Sequence, residues 1–311
     1  MKAIEGKEYK QAKPEEVIDF LKTRKIDNIS ISPSRLKFVI YDQQPFIQVS
    51  NGKIKEFTVR NSCLKKVLRW FDFPTENFGF LQDETLLAIC NDSLKAINAR
   101  QVNIRLVDEQ VVTINSQFYT LLTNLDVIEL IKHLGITEIS LNDYFMRIYT
   151  KEEYRTKPVL DDTCGFGLNV FNSETGFAAV GIQHFILRYI CTNGATAPVD
   201  IFAEKQNHYG LQTKYIRNFL EGQLKKVEES RKNIIFALKK SNDEPAKKLY
   251  TTYSFKIDSI IGKWKSKQFF EGFDVERTKY DMFNFITEKA KSYDLMKKYR
   301  LERLAGELIM N

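Results

Sequence analysis

Cys191 and His184 are the first pair whose types suggest chemistry, because an imidazole that takes a thiol proton creates a nucleophile. Their spacing argues against it: on an extended strand they lie about 23 Å apart and face opposite sides. Asp161, Asp162 and Glu174 form a second set, the several carboxylate oxygens that a nuclease magnesium ion requires. Adjacent aspartates more often cap a turn, so a metal-dependent nuclease is a minor reading. Gly165-Phe166-Gly167 lacks the following Gly-Lys-Ser/Thr and the helix start of a phosphate loop, which argues against nucleotide hydrolysis.

The remaining chemistry is that of cations beside aromatic rings. Lys225, Lys226, Arg231, Lys232, Lys263, Lys265 and Lys267 are candidate phosphate contacts, and Tyr215, Tyr253 and Trp264 are candidate platforms on which bases stack. Arg188 and Asn193 add a guanidinium and an amide at a turn, able to grip a phosphate and a base edge. Each has a bland counterpart: the aromatics pack in a core, Asn193-Gly194 only turns the chain, and Arg188 pairs with Glu174 across a hairpin.

Charge favours the cationic reading. Residues 1 to 204 carry 24 Lys and Arg against 26 Asp and Glu, whereas residues 205 to 311 carry 23 against 14. The overall +7 therefore resides in the last third, where it favours a polyanionic partner. Lys225-Lys226-Val227-Glu228-Glu229 suits a salt-bridged solvated face equally well.

Cys63, Cys90, Cys164 and Cys191, with His133, His184 and His208, show no zinc-ligand spacing, so no metal and no cofactor are expected. Few, dispersed thiols fit a reducing compartment, and Met1 to Pro14 lacks the apolar segment of a secretory signal. The interior of a host cell is the expected location, with no membrane span.

These groups need elements to hold them. Pro14, Glu15 and Glu16 open a helix that should end before Asp27; alternation over Ile29 to Val59, with a turn at Asn51-Gly52, predicts a small antiparallel sheet. Helical spacing returns over Ser62 to Phe71 and Thr85 to Ile97, strands over Arg100 to Ile114, a helix over Asn124 to Leu134 closed by Gly135, and one strand over Glu138 to Tyr149. Apolar runs on either side of Asn172-Ser173-Glu174-Thr175-Gly176 predict a hairpin. A long helix bearing the stripe Leu220 to Leu238 follows, suited to a dimer seam or to internal packing, with a break at Asp243-Glu244-Pro245. Further helices are predicted over Ala246 to Lys267, Glu276 to Tyr293 and Leu295 to Met310. The sum is an α+β chain, antiparallel β-containing in its N-terminal and central parts and helical towards its C-terminus, divided at 1–60, 61–204 and 205–311, with no internal repeat.

The NSETG stretch at Asn172 to Gly176, RYICTNG at Arg188 to Gly194, TKYDMFNFITEKA at Thr278 to Ala290 and RLERLAGELI at Arg300 to Ile309 resemble the phage/plasmid-like protein family catalogued as domain of unknown function 932. A weaker likeness covers Val112 to Ile131, so the resemblance spans residue 60 to the end. It implies a phage, plasmid or other mobile-element setting and no particular biochemical activity. Together with the charge it points to a sequence-tolerant nucleic-acid-binding protein, favouring single-stranded DNA, in replication or recombination as an annealing or protecting factor. The alternative is a non-catalytic structural or regulatory protein-interaction module, and a homo-oligomer is compatible with either.

Overall fold

β1 (Tyr9–Ala12) leads into α1 (Pro14–Thr23), with Pro14 in its first turn and Glu15 and Glu16 at the positive end of the helix dipole. β2 (Ile26–Ile31), β3 (Leu36–Tyr41), β4 (Gln44–Asn51) and β5 (Lys53–Val59) precede the helices α2 (Asn61–Arg69) and α3 (Asp83–Ala96) and the hairpin of β6 (Val102–Val107) and β7 (Gln110–Ser116). The computed structural model describes residues 3–73, 81–150, 154–159, 162–188, 195–199, 205–208, 210, 213–224, 226–262 and 268–310.

The strands β2 to β7 form one sheet in the order β2-β6-β7-β5-β4-β3, with β5 parallel to β7 and every other pair antiparallel. Its tight turns fall on residues at positive φ, Gly52 after β4 and Asp108-Glu109 after β6. Phe38, Ile47, Val59, Ile104 and Ile114 pack under Leu64, Val67 and Leu68 of α2 and Leu86 and Leu94 of α3. Alternation puts Asn28, Ser30, Asn103, Arg105, Thr113 and Asn115 on the opposite face, so this sheet has one apolar and one polar side.

α4 (Asn124–Ile131) starts at a capping box between Thr123 and Asp126 and closes onto Gly135 at φ +69°. β8 (Ile136–Leu141), β9 (Met146–Thr150), β10 (Tyr154–Val159), β11 (Asp162–Asn172), β12 (Val180–Arg188), β13 (Ala195–Val199) and β14 (Lys205–Gln206) join β1 in a second antiparallel sheet. Its order is β1-β8-β9-β11-β12-β13, with β10 also on β11 and β14 on β12. Val17 and Leu21 of α1 and Val127 and Ile131 of α4 cover Ile139, Ile148, Val170 and Ile182.

α5 (Thr213–Leu224), α6 (Val227–Ser241), α7 (Lys247–Ile261), α8 (Lys279–Ala290) and α9 (Leu295–Met310) complete the α+β chain. A third core joins Phe166 and Ile186 of the second sheet to Ile234, Leu238, Ile257, Phe283, Ile286, Leu304 and Leu308. Among the described residues no helix is long and apolar enough to cross a membrane. Cys63, Cys90 and Cys164 are buried free thiols; desolvation pushes Cys90 up to about 12, which makes it an inert packing group.

Several expectations are corrected. The single strand over Glu138 to Tyr149 is two strands, because Asn142 Oδ1 accepts the amides of Tyr144 (2.9 Å) and Phe145 (3.1 Å) and folds the chain back. The helix carrying the Leu220 to Leu238 stripe is two helices, and the one expected to reach Lys267 stops at Gly262, whose φ is +93°. The boundary at residue 60 falls inside the first sheet, since β5 pairs with β7 across it.

One spacing recurs in the element order without a shared sheet arrangement, since β8 pairs with β9 whereas β2 pairs with β6 and β3 with β4. α1, β2 and β3 start at Pro14, Ile26 and Leu36; α4, β8 and β9 start at Asn124, Ile136 and Met146, the same offset each time. Val17, Ile18, Lys22, Ile26, Ile29 and Ser30 recur at that offset as Val127, Ile128, Lys132, Ile136, Ile139 and Ser140. β8 is closed by β1, and Ser140 there is buried, its Oγ accepting the Gln11 amide at 2.9 Å; β2 ends its sheet, with no strand beyond it among the described residues. An uncovered edge is a place where another chain can be received.

Candidate functional site

The predicted hairpin after β11 is present, yet its NSETG turn is a buried junction between the two sheets. Ser173 Oγ donates to Tyr144 O (2.6 Å) and Thr175 Oγ1 to Asp143 O (2.8 Å), while Asn172 Nδ2 donates to Leu122 O (3.0 Å) and Asn124 Oδ1 (2.9 Å). Its carbonyls accept from Tyr119 OH at Ser173 (2.6 Å), Thr113 Oγ1 at Thr175 (3.1 Å) and Lys66 Nζ at Gly176 (2.7 Å). Gly176 has φ +76°, and a Cβ there would stand 2.7 Å from Lys66 Nζ, so any other residue is strained and must displace that lysine.

Glu174 is the electrostatic centre of this junction. Its Oε1 accepts the Asn124 amide at the start of α4 (2.7 Å), and its Oε2 accepts from Arg105 Nη2 (2.9 Å) and Arg24 Nη2 (3.4 Å). The expected pairing of Glu174 with Arg188 is therefore replaced by Arg24 and Arg105. Its oxygens are also committed, which removes it from the carboxylate set considered for magnesium; Asp161 lies outside the described residues.

Two cavities open beside the edge strand β2 and share Ser30. The first, of about 290 Å³, is lined by Asn28, Ser30, Asn103, Arg105, Asn115, Tyr119, Leu121 and Glu174. The second, of about 240 Å³, is lined by Ser30, Ile31, Ser32, Arg35, Asn51, Arg100 and Gln101. Among the described residues neither Arg35 nor Arg100 forms an ion pair; Arg35 Nη1 makes one long bond, 3.4 Å, to Asn51 Oδ1. Two guanidinium groups sharing a cavity without a carboxylate favour an anion such as a phosphate oxygen.

Beside the junction, α2 places cations on rings: Lys65 Nζ lies 5.0 Å from the Tyr144 centroid, and Lys66 Nζ (5.5 Å) and the Arg69 guanidinium (5.0 Å) approach Phe177. Lys66 is 6% exposed, and desolvation, aided by Arg69, lowers its pKa to about 8. His208 stacks on Tyr119 at 5.1 Å and its Nδ1 lies 3.1 Å from Thr120 O, which fixes the proton on Nδ1 and leaves the buried Nε2 unpartnered. Burial holds the imidazole below its usual pKa, and nearby Lys66 adds to that.

The sequence candidates are dispersed. Tyr215 is exposed on α5; Lys226, Arg231 and Lys232 sit at the start of α6, Lys226 and Lys232 exposed and Arg231 half-buried. Tyr253 is corrected: it is 2% exposed, packed in the third core with Lys256 Nζ 4.8 Å from its ring, and offers no stacking platform. Arg188 belongs to β12, and its side chain lies outside the description, as do Asn193, Lys225, Lys263, Trp264, Lys265, Lys267 and Cys191. Further along the basic helices, charge is largely matched: Lys240 and Lys279 pair with Glu244, Lys247 with Glu276, Lys256 and Arg303 with Glu307, Lys291 with Glu288 and Lys297 with Asp294. The described C-terminal cations thus form a salt-bridged surface more than a phosphate track.

Asn28, Ser30, Arg35, Arg100 and Asn103 were missed because strand alternation was read only for its apolar half. The signal was present in Asn28-Ile29-Ser30-Ile31 and Asn103-Ile104-Arg105, where the outward positions are amides, a hydroxyl and a guanidinium. No family model matches the chain, and no curated protein and no solved structure matches it either.

Proposed function

We propose that this chain is a sequence-tolerant nucleic-acid-binding protein that favours single strands and receives them along the open edge of β2. The observation that carries the reading is the Arg35–Arg100 cavity, a pair of guanidiniums without ion-pair partners among the described residues, adjoining an amide- and tyrosine-lined cavity. Phosphates want the first kind of surface and bases the second. The cation–ring contacts of α2 and the net charge of +7 point the same way. The resemblance to phage/plasmid-like proteins adds a setting, strand annealing or protection during mobile-element replication or recombination inside a host cell.

A titration of the full chain against labelled single-stranded DNA, double-stranded DNA and RNA at rising ionic strength tests it. Single-stranded DNA is expected to bind most tightly at 50 mM salt and to lose affinity steeply, with log K falling by about 0.7 per decade of salt for each phosphate contacted. Absence of binding to all three at low salt removes the proposal.

A second reading, a protein-interaction module that includes self-association, is favoured by Phe236 and Phe255, which stand 70% and 67% exposed on α6 and α7. It becomes the better account if no nucleic acid binds.

A further inference from the structure

We propose that the cavity bounded by β2, β6, β7 and the Asn172–Gly176 turn holds one unstacked base of the bound strand; this rests on the nucleic-acid reading above and assigns its base subsite. The cavity, about 290 Å³, is at the small end of ligand pockets, which run from about 300 to 1,000 Å³. It has room for a single ring system and its sugar, not for a polymer segment.

Its lining is the chemistry of a neutral, flat, hydrogen-bonding ligand. Asn28, Asn103 and Asn115 each present a donor and an acceptor in one plane, the pattern that pairs with a base edge. Of the two charges in the lining, Glu174 is held by Arg105 at 2.9 Å and by Arg24 at 3.4 Å, so no free carboxylate faces the cavity. Tyr119 and Leu121 supply apolar wall. The Tyr119 ring is fixed on both counts that matter for stacking, by its hydroxyl on Ser173 O and by His208 packed against it.

Polar capacity is also left over. Among the described residues Arg105 Nε is buried without a hydrogen-bond partner; Arg105 is 3% exposed and its other nitrogens reach Glu174 and Asn28. The neighbouring cavity, joined through Ser30, offers Arg35 and Arg100 to the adjacent phosphate. A base in one and its phosphate in the other follow the course of β2.

The test compares the full chain with its Asn28→Ala/Asn103→Ala variant, Asn28 being exposed, Asn103 half-buried and both outside the cores. Each is titrated at 50 mM salt with a base-bearing DNA strand and with an abasic strand of equal length. Wild type is expected to prefer the base-bearing strand by about ten-fold or more, the scale of one stacked base. The variant is expected to lose most of that preference while binding the abasic strand as wild type does. Equal binding of both strands by wild type, or a preference that the variant retains, overturns the base subsite and leaves phosphate-driven binding standing.

Free deoxyadenosine, followed by NMR line broadening, separates the two claims. If no strand binds but deoxyadenosine binds wild type and not the variant, the subsite stands without the strand reading; if glucose binds in its place, the cavity is a sugar site and the proposal is wrong.

Discussion

Replacing Glu302 by alanine is expected to destabilise the protein by about 3–5 kcal/mol, because it strands a guanidinium in the interior. Arg147 of β9 is fully buried between the second sheet and α9, and its Nη1 donates to Glu302 Oε2 at 2.9 Å with both side chains at most 1% exposed. The rings of Tyr149 and Tyr299 lie 4.9 Å from its guanidinium carbon. Among the described residues its Nε and Nη2 have no hydrogen-bond partner, and Glu302 is the carboxylate that pairs with it. Urea unfolding should show the midpoint falling with the slope unchanged. A double replacement, Arg147→Met with Glu302→Leu, should recover most of the loss, since removing both charges also removes their desolvation cost. A single variant within about 1 kcal/mol of wild type would mean that α9 does not dock on the sheet as described.

The second large effect is a pH dependence centred on Lys66. In the unfolded chain its ammonium releases a proton near 10.5, and in the fold near 8. Between those values the unfolded state holds a proton that the folded state has lost, so stability contributed by this residue rises with pH across that window. Below pH 8 the buried ammonium is a constant liability; above 10.5 both states are neutral and the liability is gone. The stability difference between wild type and the Lys66→Met variant should therefore move in favour of wild type by on the order of 3 kcal/mol between pH 7.5 and 10.5. Unfolding curves of both proteins across this range measure it, and a pH-independent difference would show that the ammonium is hydrated in the fold.

Element types were legible because local signals agreed with the tertiary outcome. Gly52, Gly135 and Gly176 stand at positive φ where turn chemistry asks for them, and Leu295–Met310 is the helix its spacing predicts. The buried role of the NSETG turn was hidden: Asn, Ser, Glu, Thr and Gly read as solvent-facing turn residues, and only the two packed sheets supply the carbonyls and arginines that satisfy them within the interior.

The strand site proposed here lies on β2, away from the helices to which the charge count pointed. Excess charge after residue 205 suggested the C-terminal helices, but a linear count does not see that Glu244, Glu276, Glu288 and Glu307 lie within reach of those lysines. Arg35 and Arg100 sit in the acidic-leaning part of the chain, and their proximity depends on a cavity formed by the β2 edge and the segment leading into β6.

The Arg35→Ser/Arg100→Ser variant therefore gives the sharpest test of where a strand is held, through the slope of its single-stranded DNA affinity against salt. Loss of two phosphate contacts should make that slope shallower than wild type by about 1.4 and weaken binding at 50 mM salt. A slope identical to wild type, with binding intact, would contradict the assignment of the β2 edge and return the search to the helical third of the chain.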